Sequence, residues 1–409
     1  MRVLVISTHF PPERRGGYEL QCRGFVDHLR RHGHRVQVLT GTDLPRFPAT
    51  PARTSLAAAW RAERRAAAVL RARLRAFSPD AVAFWRLGEL SMSLVQRVRE
   101  AGIPAVGMVC DPWMVDGPAR DPWARRHGMP APAGAARWLF VSAALLRQVR
   151  AAGLDPGPAE VVPWGVELSR LPLAAPRPPA GRLLYAGRLS PLKGVDLALR
   201  ALARLPGARL EVLGGGEAGY EQELRALAGA LGIADRVAFR GPRSRAEVAN
   251  AYARADAVLF PVRWEEPFGS VPLEAMARGT PVVATATGGS AEFLLHERTA
   301  LIVPPEDPEA IAAAVTRLEA DPALRGRLRA AGRRMAERYP AERSHERVRL
   351  VLEEAAAAGR VPAAARRTSR SRSAWRSNEN SARTASARAA AAPVAASARS
   401  EPASSSASS

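Results

Sequence analysis

Residues 257–289 read AVLFPVRWEEPFGSVPLEAMARGTPVVATATGG, and they join an apolar strand, a glycine-containing loop and the start of a helix. The apolar start of this stretch predicts a buried strand over Ala257–Pro261, followed by a loop and a helix that begins near Ser270. Glu266 lies just before the predicted helix and Glu274 one turn inside it. Unpaired N–H groups at a helix start can bind a diphosphate, and carboxylates accept hydrogen bonds from the hydroxyl groups of a sugar or ribose. A surface loop, a capped helix and two solvated glutamates explain the same residues equally well.

The alternation of apolar strands with helical segments continues in both directions from this stretch. The predicted strands are Arg2–Ser7, Arg35–Thr40, Ala81–Trp85, Ala105–Cys110, Leu139–Ser142 and Glu160–Pro163 in the first half, and Leu183–Ala186, Arg209–Leu213, Val237–Arg240, Ala257–Pro261, Pro281–Thr285 and Ala300–Val303 in the second. Two such units in tandem predict an α/β protein in which two Rossmann-like, doubly wound domains face a cleft.

Domain boundaries follow from composition. We expect an N-terminal domain over 1–171, a Pro-rich linker over 172–181 and a C-terminal domain over 182–335. From about Pro308 to Ala358 the chain is predicted to be helical, with an interruption at Tyr339-Pro340. Its last part, 336–358, would form C-terminal helices that cross back to the N-terminal domain. Residues 359–409 are Ala, Ser and Arg with almost no large apolar side chains, which predicts a disordered tail.

Charge and composition exclude several classes of protein. The chain has 409 residues and a net charge of +21, of which +7 comes from residues 360–409. Arg supplies 59 of the 60 basic side chains, which indicates compositional bias, and no nucleic-acid-binding motif accompanies the charge, so we expect no nucleic-acid partner. No run of about 18 apolar residues predicts a transmembrane helix. The start reads as a strand rather than a secretion signal, and only two cysteines, Cys22 and Cys110, fit a reducing cytoplasm.

Two cations follow the first predicted strand of the second half, in AGRLSPLKGVD over Ala186–Asp196. Arg188 and Lys193 at a strand-to-helix turn suit a diphosphate, the arginine by its planar fork and the lysine as a point charge. Two exposed cations near a turn would be the structural alternative. Lys193 is the only lysine in a chain with 59 arginines, so a bias that removed every other lysine has spared this one, which favours a functional ammonium group.

Glycines follow several of the predicted strands. Gly16 and Gly17 come after the first strand, where a backbone without side chains can approach a phosphate or a sugar, although glycines serve tight turns as well. In the second half, Gly215 and the pair Arg240-Gly241 come after two neighbouring strands. Each of these positions is on its own explained as a structural turn.

The segment EPFGSVPLEAMARGTPVV resembles that of the retaining GT-B glycosyltransferases of family four, and the resemblance extends over about residues 1–355. It implies that Glu266 holds hydroxyls of the transferred sugar and that Glu274 binds the nucleotide ribose. It also implies that the backbone of Phe268 and Gly269 lies against sugar and phosphate, and that the helix start at Ser270-Val271 meets the phosphates.

The resemblance implies roles for residues outside this segment. Arg188 and Lys193 would contact the donor phosphates and offset charge on the leaving nucleotide. Gly16 and Gly17 would lie near the donor phosphate and the acceptor, and Gly215, Arg240 and Gly241 would border the nucleotide base.

One position departs from the family pattern. Many relatives carry a His-Asp pair at the end of an N-domain strand, and that histidine contacts the sugar. Here the pair reads Cys110-Asp111. A thiol cannot replace imidazole as a cation at neutral pH, whereas Asp111 remains a weaker candidate for catalysis or for acceptor contact.

The predicted function is therefore transfer of a sugar from a UDP-, GDP- or ADP-sugar to an acceptor hydroxyl, with retention of configuration. The acceptor would be a carbohydrate, a lipid-linked sugar or a small molecule, as in the synthesis of surface polysaccharides, glycolipids or small glycosides. No Asp-x-Asp metal motif occurs, so we expect neither a metal nor a cofactor. A GT-B phosphorylase and a non-catalytic nucleotide-sugar-binding protein are the alternatives.

The segment 57–77 is amphipathic. Its apolar residues share one side at helical spacing and include Trp60, Leu70, Leu74 and Phe77, while six arginines against one glutamate lie mostly elsewhere. Such a helix can rest on an anionic membrane, or it can pack on the sheet of its own domain. The first reading predicts a peripheral enzyme at the inner face of the cytoplasmic membrane.

Overall fold

The computed structural model describes residues 1–12, 16–46, 56–127, 133–216 and 218–359. The first half is built on a six-stranded parallel sheet of order β2-β1-β3-β4-β5-β6. Its strands are β1 Arg2–Ser7, β2 Arg35–Thr40, β3 Ala81–Arg86, β4 Ala105–Val109, β5 Arg137–Phe140 and β6 Ala159–Val161, and its helices are α1 Gly17–Arg31, α2 Leu56–Phe77, α3 Ser93–Glu100, α4 Trp113–Arg120, α5 Pro122–His127 and α6 Ala143–Ala151. The central strands are continuous apolar runs because helices cover both faces of such a sheet.

The second half repeats this plan with a six-stranded parallel sheet of order β12-β11-β10-β7-β8-β9. Its strands are β7 Arg182–Ala186, β8 Arg209–Leu213, β9 Val237–Gly241, β10 Ala257–Phe260, β11 Val282–Ala284 and β12 Leu301–Ile302, and the helices are α7 Val195–Leu202, α8 Ala218–Ala230, α9 Arg245–Arg254, α10 Ser270–Arg278, α11 Pro308–Ala320, α12 Pro322–Glu337 and α13 Ala341–Gly359. Two doubly wound α/β halves confirm the predicted fold class.

Two predicted boundaries were wrong for local reasons. The fifth strand was predicted over Leu139–Ser142 but runs from Arg137 to Phe140. Ser142 instead caps α6, since its hydroxyl oxygen accepts the Leu145 N–H at 3.1 Å. The long helical segment after Pro308 also breaks at Asp321, whose carboxylate caps α12 by accepting the Leu324 N–H at 2.8 Å.

The two halves are joined at a second place besides the Pro-rich segment. The backbone of Val166 pairs with Pro340, between α12 and α13, and α13 then packs on α1 and on β3, β4 and β5 of the first sheet. The Pro-rich segment itself is anchored by α10, because the Ala174 N–H donates to the Arg278 carbonyl at 3.1 Å. Both sheets thus belong to the compact unit Met1–Gly359.

The amphipathic segment forms α2, and its apolar side is turned inward. Leu70 and Phe77 are buried, whereas Trp60 and Leu74 are partly buried. Every helix of the described residues is too short or too polar to cross a bilayer. The predicted disordered tail lies outside the described residues except for its first residue, Gly359, which ends α13.

Candidate functional site

A short 3-10 turn at Pro191–Lys193 follows β7 and carries the only lysine. The next residue, Gly194, has φ of 67°, and a Cβ there would lie 1.9 Å from the carbonyl oxygen of Pro261, at the end of β10. No other residue type fits this close approach of two backbones. Gly194 therefore brings the lysine turn against the strand that precedes Glu266.

A partly buried ion pair between Arg263 and Asp196 fixes the position of this turn. Arg263 donates to both carboxylate oxygens of Asp196, at 2.6 and 2.8 Å, and to the Pro191 carbonyl at 2.8 Å. Burial alone would raise the pKa of Asp196, but the bonds from Arg263 hold it below its usual range. The sequence did not predict this ion pair, although the pair fixes the position of Lys193.

Lys193 and Glu266 meet at the centre of the site. The Lys193 Nζ lies 2.5 Å from Glu266 Oε2, and the Trp264 Nε1–H donates to the same oxygen at 2.9 Å. The ammonium also lies 4.8 Å from the centre of the Trp264 ring. Both charged side chains are largely buried, with 17% and 10% exposed. A desolvated cation and anion thus stand side by side, held by one tryptophan.

This pair lies beside the start of α10, where two helix N-termini converge. Gly269, which precedes α10, has φ of 87° and leaves its first N–H groups without a side-chain cap. From the other half, a Cβ on Gly17 would lie 3.6 Å from the Ser270 hydroxyl oxygen. Gly16 precedes α1, and its N–H donates to Glu19 at 3.0 Å. The positive ends of α1 and α10 therefore face one space, which favours an anion.

The ring of Phe268 belongs to the core rather than to this space. It is 2% exposed and contacts Trp164, Phe293 and Tyr339, with ring centres 5.4 to 6.5 Å apart. Trp164 in turn meets Tyr18 at 5.4 Å. Phe268 could therefore contact a ligand only through its backbone.

Glu274 lies one turn into α10 and has an unforeseen partner. The Tyr252 hydroxyl donates to Glu274 Oε2 at 3.0 Å. Burial raises the pKa of Glu274, and the nearby Arg245 opposes that shift. Arg245 also pairs with Glu167 at 3.4 Å. A carboxylate poised in this way can accept the hydroxyls of a polyol.

Glycines bring the carboxyl ends of β7, β8 and β9 close together. Gly214 has φ of 133°, and a Cβ there would lie 1.8 Å from the Gly187 carbonyl oxygen. The neighbouring Gly215 and Gly241 lie at the same edge, and ligands of open α/β sheets bind at the carboxyl ends of the strands. Arg240 is exposed and lies 3.6 Å from Glu211.

Arg188 follows Gly187 at this edge, and its guanidinium is exposed. The Arg188 carbonyl accepts the Tyr185 hydroxyl at 3.0 Å, which fixes its backbone. Among the described residues its guanidinium has no hydrogen-bond or ion-pair partner, so it remains available to an anion.

The first half contributes a buried pair that faces the same region. Arg86 Nε lies 2.7 Å from Asp111 Oδ2, and the Arg86 guanidinium lies 5.0 Å from the centre of the Tyr18 ring. Burial raises the pKa of Tyr18, and the charges of Asp111 and, across the space, of Glu266 raise it further. Cys110 is fully buried, and its thiol donates to the Trp85 carbonyl at 3.4 Å. Cys110 therefore contributes no polar group to the site.

Two family models match the two halves. Residues 15–170 match the model described as Glycosyltransferase Family 4, and residues 177–335 match Glycosyl transferases group 1. The chain belongs to glycosyltransferase family 4. The resemblance to GT-B glycosyltransferases of family four is thus confirmed, and every strand of the two sheets except β1 lies within the matched ranges.

Curated and solved relatives agree with this family. A D-inositol 3-phosphate glycosyltransferase of Streptomyces bingchenggensis is 32% identical over 282 residues, 63% of this chain and 62% of that protein. Another from Mycobacteroides abscessus is 44% identical over 137 residues, 33% of this chain and 31% of that protein. The chain thus matches less than two thirds of either relative's length.

Solved structures establish the shared architecture. The sucrose-phosphate synthase of Thermosynechococcus elongatus has a TM-score of 0.73 at 22% identity and covers 87% of this chain and 99% of its own. The Anabaena protein HepE, solved with UDP and glucose, has a TM-score of 0.66 at 20% identity and covers 86% and 99%. At these identities the likeness establishes the GT-B fold.

Within the described residues, three side chains that could bind a metal ion lie close together away from the candidate site. His28, His32 and Glu346 place one ligand atom each within 4.8 Å of one another, at the contact of α1 with α13. Glu346 already accepts from Arg349 at 2.6 and 2.8 Å and lies 3.0 Å from His28. This hydrogen-bond network accounts for the cluster, and the absence of a metal from the reaction stays a prediction.

Proposed function

We propose that the protein is a retaining glycosyltransferase that moves a sugar from a nucleoside-diphosphate donor to an acceptor hydroxyl. The buried Lys193–Glu266 pair beside the N-terminus of α10 carries this proposal. A cation, a carboxylate and free N–H groups in one place suit the phosphate and the sugar of one ligand. Family membership supports the same chemistry.

Each group has a role in this proposal. The diphosphate lies at the start of α10, where Arg188 and Lys193 offset its charge. Glu266 accepts hydroxyls of the transferred sugar and Glu274 those of the ribose. The bond from the anomeric carbon to the phosphate oxygen breaks, the acceptor oxygen attacks on the same face, and its proton passes to the departing phosphate. Charge grows on the phosphate, so Lys193 stabilises the transition state more than the bound donor.

We take a UDP-sugar as the first donor to test, because HepE was solved with UDP and with UDP-glucose. The base would lie at the edge formed by Gly215, Arg240 and Gly241. Residues 172–181 would separate the acceptor domain from the donor domain.

Membrane contact remains part of the proposal in a narrower form. The apolar side of α2 is buried, so contact with a membrane at the cytoplasmic face would rest on its exposed arginines: Arg61, Arg64, Arg65, Arg71 and Arg75. Vesicles with about 30% anionic lipid should bind the protein at low salt and release it as salt screens the charges. Equal binding by a variant with Arg64→Glu and Arg71→Glu would remove this contact from the proposal.

Nucleotide release tests the function directly. Purified protein is incubated with UDP-, GDP- or ADP-glucose and an acceptor panel. Lys193→Ala and Glu274→Ala should abolish release, while Arg200→Ala, an exposed site on α7, should leave it unchanged. NMR of the product should give the donor's anomeric configuration. Inversion would refute retention, and phosphate-dependent cleavage without nucleotide would identify a phosphorylase. A protein that binds nucleotide sugars but never releases nucleotide would be a binding protein.

A further inference from the structure

Glu266 uses only one of its two carboxylate oxygens in the structure. Its Oε2 accepts from the Lys193 ammonium at 2.5 Å and from the Trp264 Nε1–H at 2.9 Å. Among the described residues no group donates to its Oε1. An ionised carboxylate has about four acceptor positions on its two oxygens. Glu266 therefore keeps one oxygen for the hydroxyls of a ligand while Trp264 holds the other.

The loop that carries Trp264 is fixed by its backbone. The Thr287 hydroxyl donates to the Trp264 carbonyl at 2.6 Å, and the Gly289 N–H donates to the Glu266 carbonyl at 2.7 Å. The indole itself is partly buried, and its N–H can only donate. Trp264 thus holds the Glu266 carboxylate from a rigid support and in one orientation.

The face of the same indole contacts the lysine. The Lys193 Nζ lies 4.8 Å from the centre of the Trp264 ring, and a cation within about 6 Å of a tryptophan face is attracted to it. Among the described residues Glu266 supplies the one carboxylate that pairs with Lys193. Trp264 therefore binds both members of the ion pair, the anion through its N–H and the cation through its ring.

Donor binding has to separate this pair. In the proposed function the ammonium offsets the diphosphate and the carboxylate accepts hydroxyls of the sugar, so each gives up at least part of its present partner. Two side chains that lose each other regain rotamer freedom, which opposes binding. Trp264 retains one contact with each of them after the separation, and this limits the freedom that they regain.

We propose that Trp264 is a positioning residue of the donor site with two separable actions. Its indole N–H orients Glu266 toward the transferred sugar, and its ring holds Lys193 toward the diphosphate. This inference rests on the proposed glycosyltransferase function. It requires that the N–H acts on a ligand only where the ligand carries a sugar, whereas the ring acts on the nucleotide as well.

Two variants separate these actions. Trp264→Phe keeps an aromatic ring and removes the N–H, whereas Trp264→Leu removes both. The probes are the nucleotide-glucose from which wild type releases nucleotide fastest, among UDP-, GDP- and ADP-glucose, and the matching free nucleotide. By calorimetry, Trp264→Phe should bind the nucleotide-glucose at least about tenfold more weakly, because hydrogen bonds to charged groups are strong. Its Kd for the free nucleotide should stay within about threefold of wild type. Trp264→Leu should also weaken the free nucleotide, by at least about threefold.

Tyr252→Phe is the matched control. It also removes one aromatic donor from a carboxylate of the site, since the Tyr252 hydroxyl donates to Glu274 Oε2 at 3.0 Å. In the proposed function Glu274 binds the ribose, which both probes contain. Tyr252→Phe should therefore weaken the two probes by the same factor, whereas Trp264→Phe changes the ratio of their Kd values.

A double-mutant cycle tests whether Trp264 acts through Glu266. In a Glu266→Ala background the N–H has no carboxylate to orient, so Trp264→Phe should change the Kd of the nucleotide-glucose by less than about twofold. A tenfold loss that persists without Glu266 would overturn the inference. So would an unchanged ratio of the two Kd values in both Trp264 variants. A wild type that binds no nucleotide would instead refute the proposed function, so the two failures are distinguishable.

Discussion

Replacing Lys193 by methionine removes one charge and keeps the length of the side chain. In the structure the Lys193 Nζ lies 2.5 Å from a Glu266 carboxylate that is only 10% exposed. The variant leaves that carboxylate beside an incoming diphosphate without a cation between them. Two unit charges about 5 Å apart interact by about 3 kcal/mol at an effective dielectric constant of about 20. A loss of that size lowers kcat/KM about a hundredfold.

The loss should fall both on donor binding and on kcat, because the charge that Lys193 offsets is present on the bound diphosphate and grows on the leaving phosphate in the transition state. Single-turnover release of nucleotide under donor saturation measures this step. Arg200→Met, which removes an exposed cation on α7, is the matched control and should keep wild-type rates. In a double variant, Glu266→Gln should restore part of the donor affinity by removing the uncompensated carboxylate. A Lys193→Met enzyme within threefold of wild type would refute the reasoning.

Three further predictions concern the supports of the site and the α1–α13 contact. Gly194→Ala forces a Cβ against the Pro261 carbonyl at positive φ and should cost roughly 2–3 kcal/mol in urea unfolding, whereas Gly207→Ala, with open space, should stay near wild type. Arg263→Gln removes the ion pair with Asp196 and so frees the turn that carries Lys193, which should raise the donor KM more than tenfold. An unchanged KM would contradict the idea that this ion pair positions Lys193. Burial, with His28 and Arg31, lowers the pKa of His345 to about 4. Between about pH 6.5 and pH 4 this histidine is protonated in the unfolded chain but neutral in the folded protein. The free energy of unfolding should therefore fall as pH drops through this range, by about 2 kcal/mol at pH 5. His345→Leu should flatten this dependence, and an identical pH profile would contradict it.

The sequence predicted the sheets well because apolar and β-branched residues recur in the strands, and turn residues often lie next to their ends. Arg2–Ser7, Arg35–Thr40 and Arg209–Leu213 match the observed strands residue for residue. Errors arose where a polar side chain decides the boundary. Ser142 and Asp321 each cap a helix, and each does so by accepting the backbone N–H three residues ahead.

The candidate site divides in a similar way. Lys193, Glu266 and Gly269 were found because local motifs hold them, and the structure brings them together. Arg263–Asp196 and Arg86–Asp111 escaped notice, since their partners lie 67 and 25 residues apart in the chain. Cys110 stands where many relatives carry a histidine that contacts the sugar, and the sequence did not show that its thiol is buried and donates to the Trp85 carbonyl. Ion pairs between residues that are distant in the chain leave no pattern in a single sequence from which they could be predicted.

Stabilisation by nucleotide tests the central claim most directly. A ligand at a hundred times its Kd stabilises the folded state by about 2.7 kcal/mol, which raises the melting temperature by several degrees. We predict that UDP, GDP or ADP, or the corresponding sugar, produces this shift in wild type, and that Lys193→Met and Arg188→Ala largely abolish it while Arg200→Met keeps it. No shift with any of these nucleotides, or a full shift in the Lys193→Met and Arg188→Ala variants, would contradict the donor site.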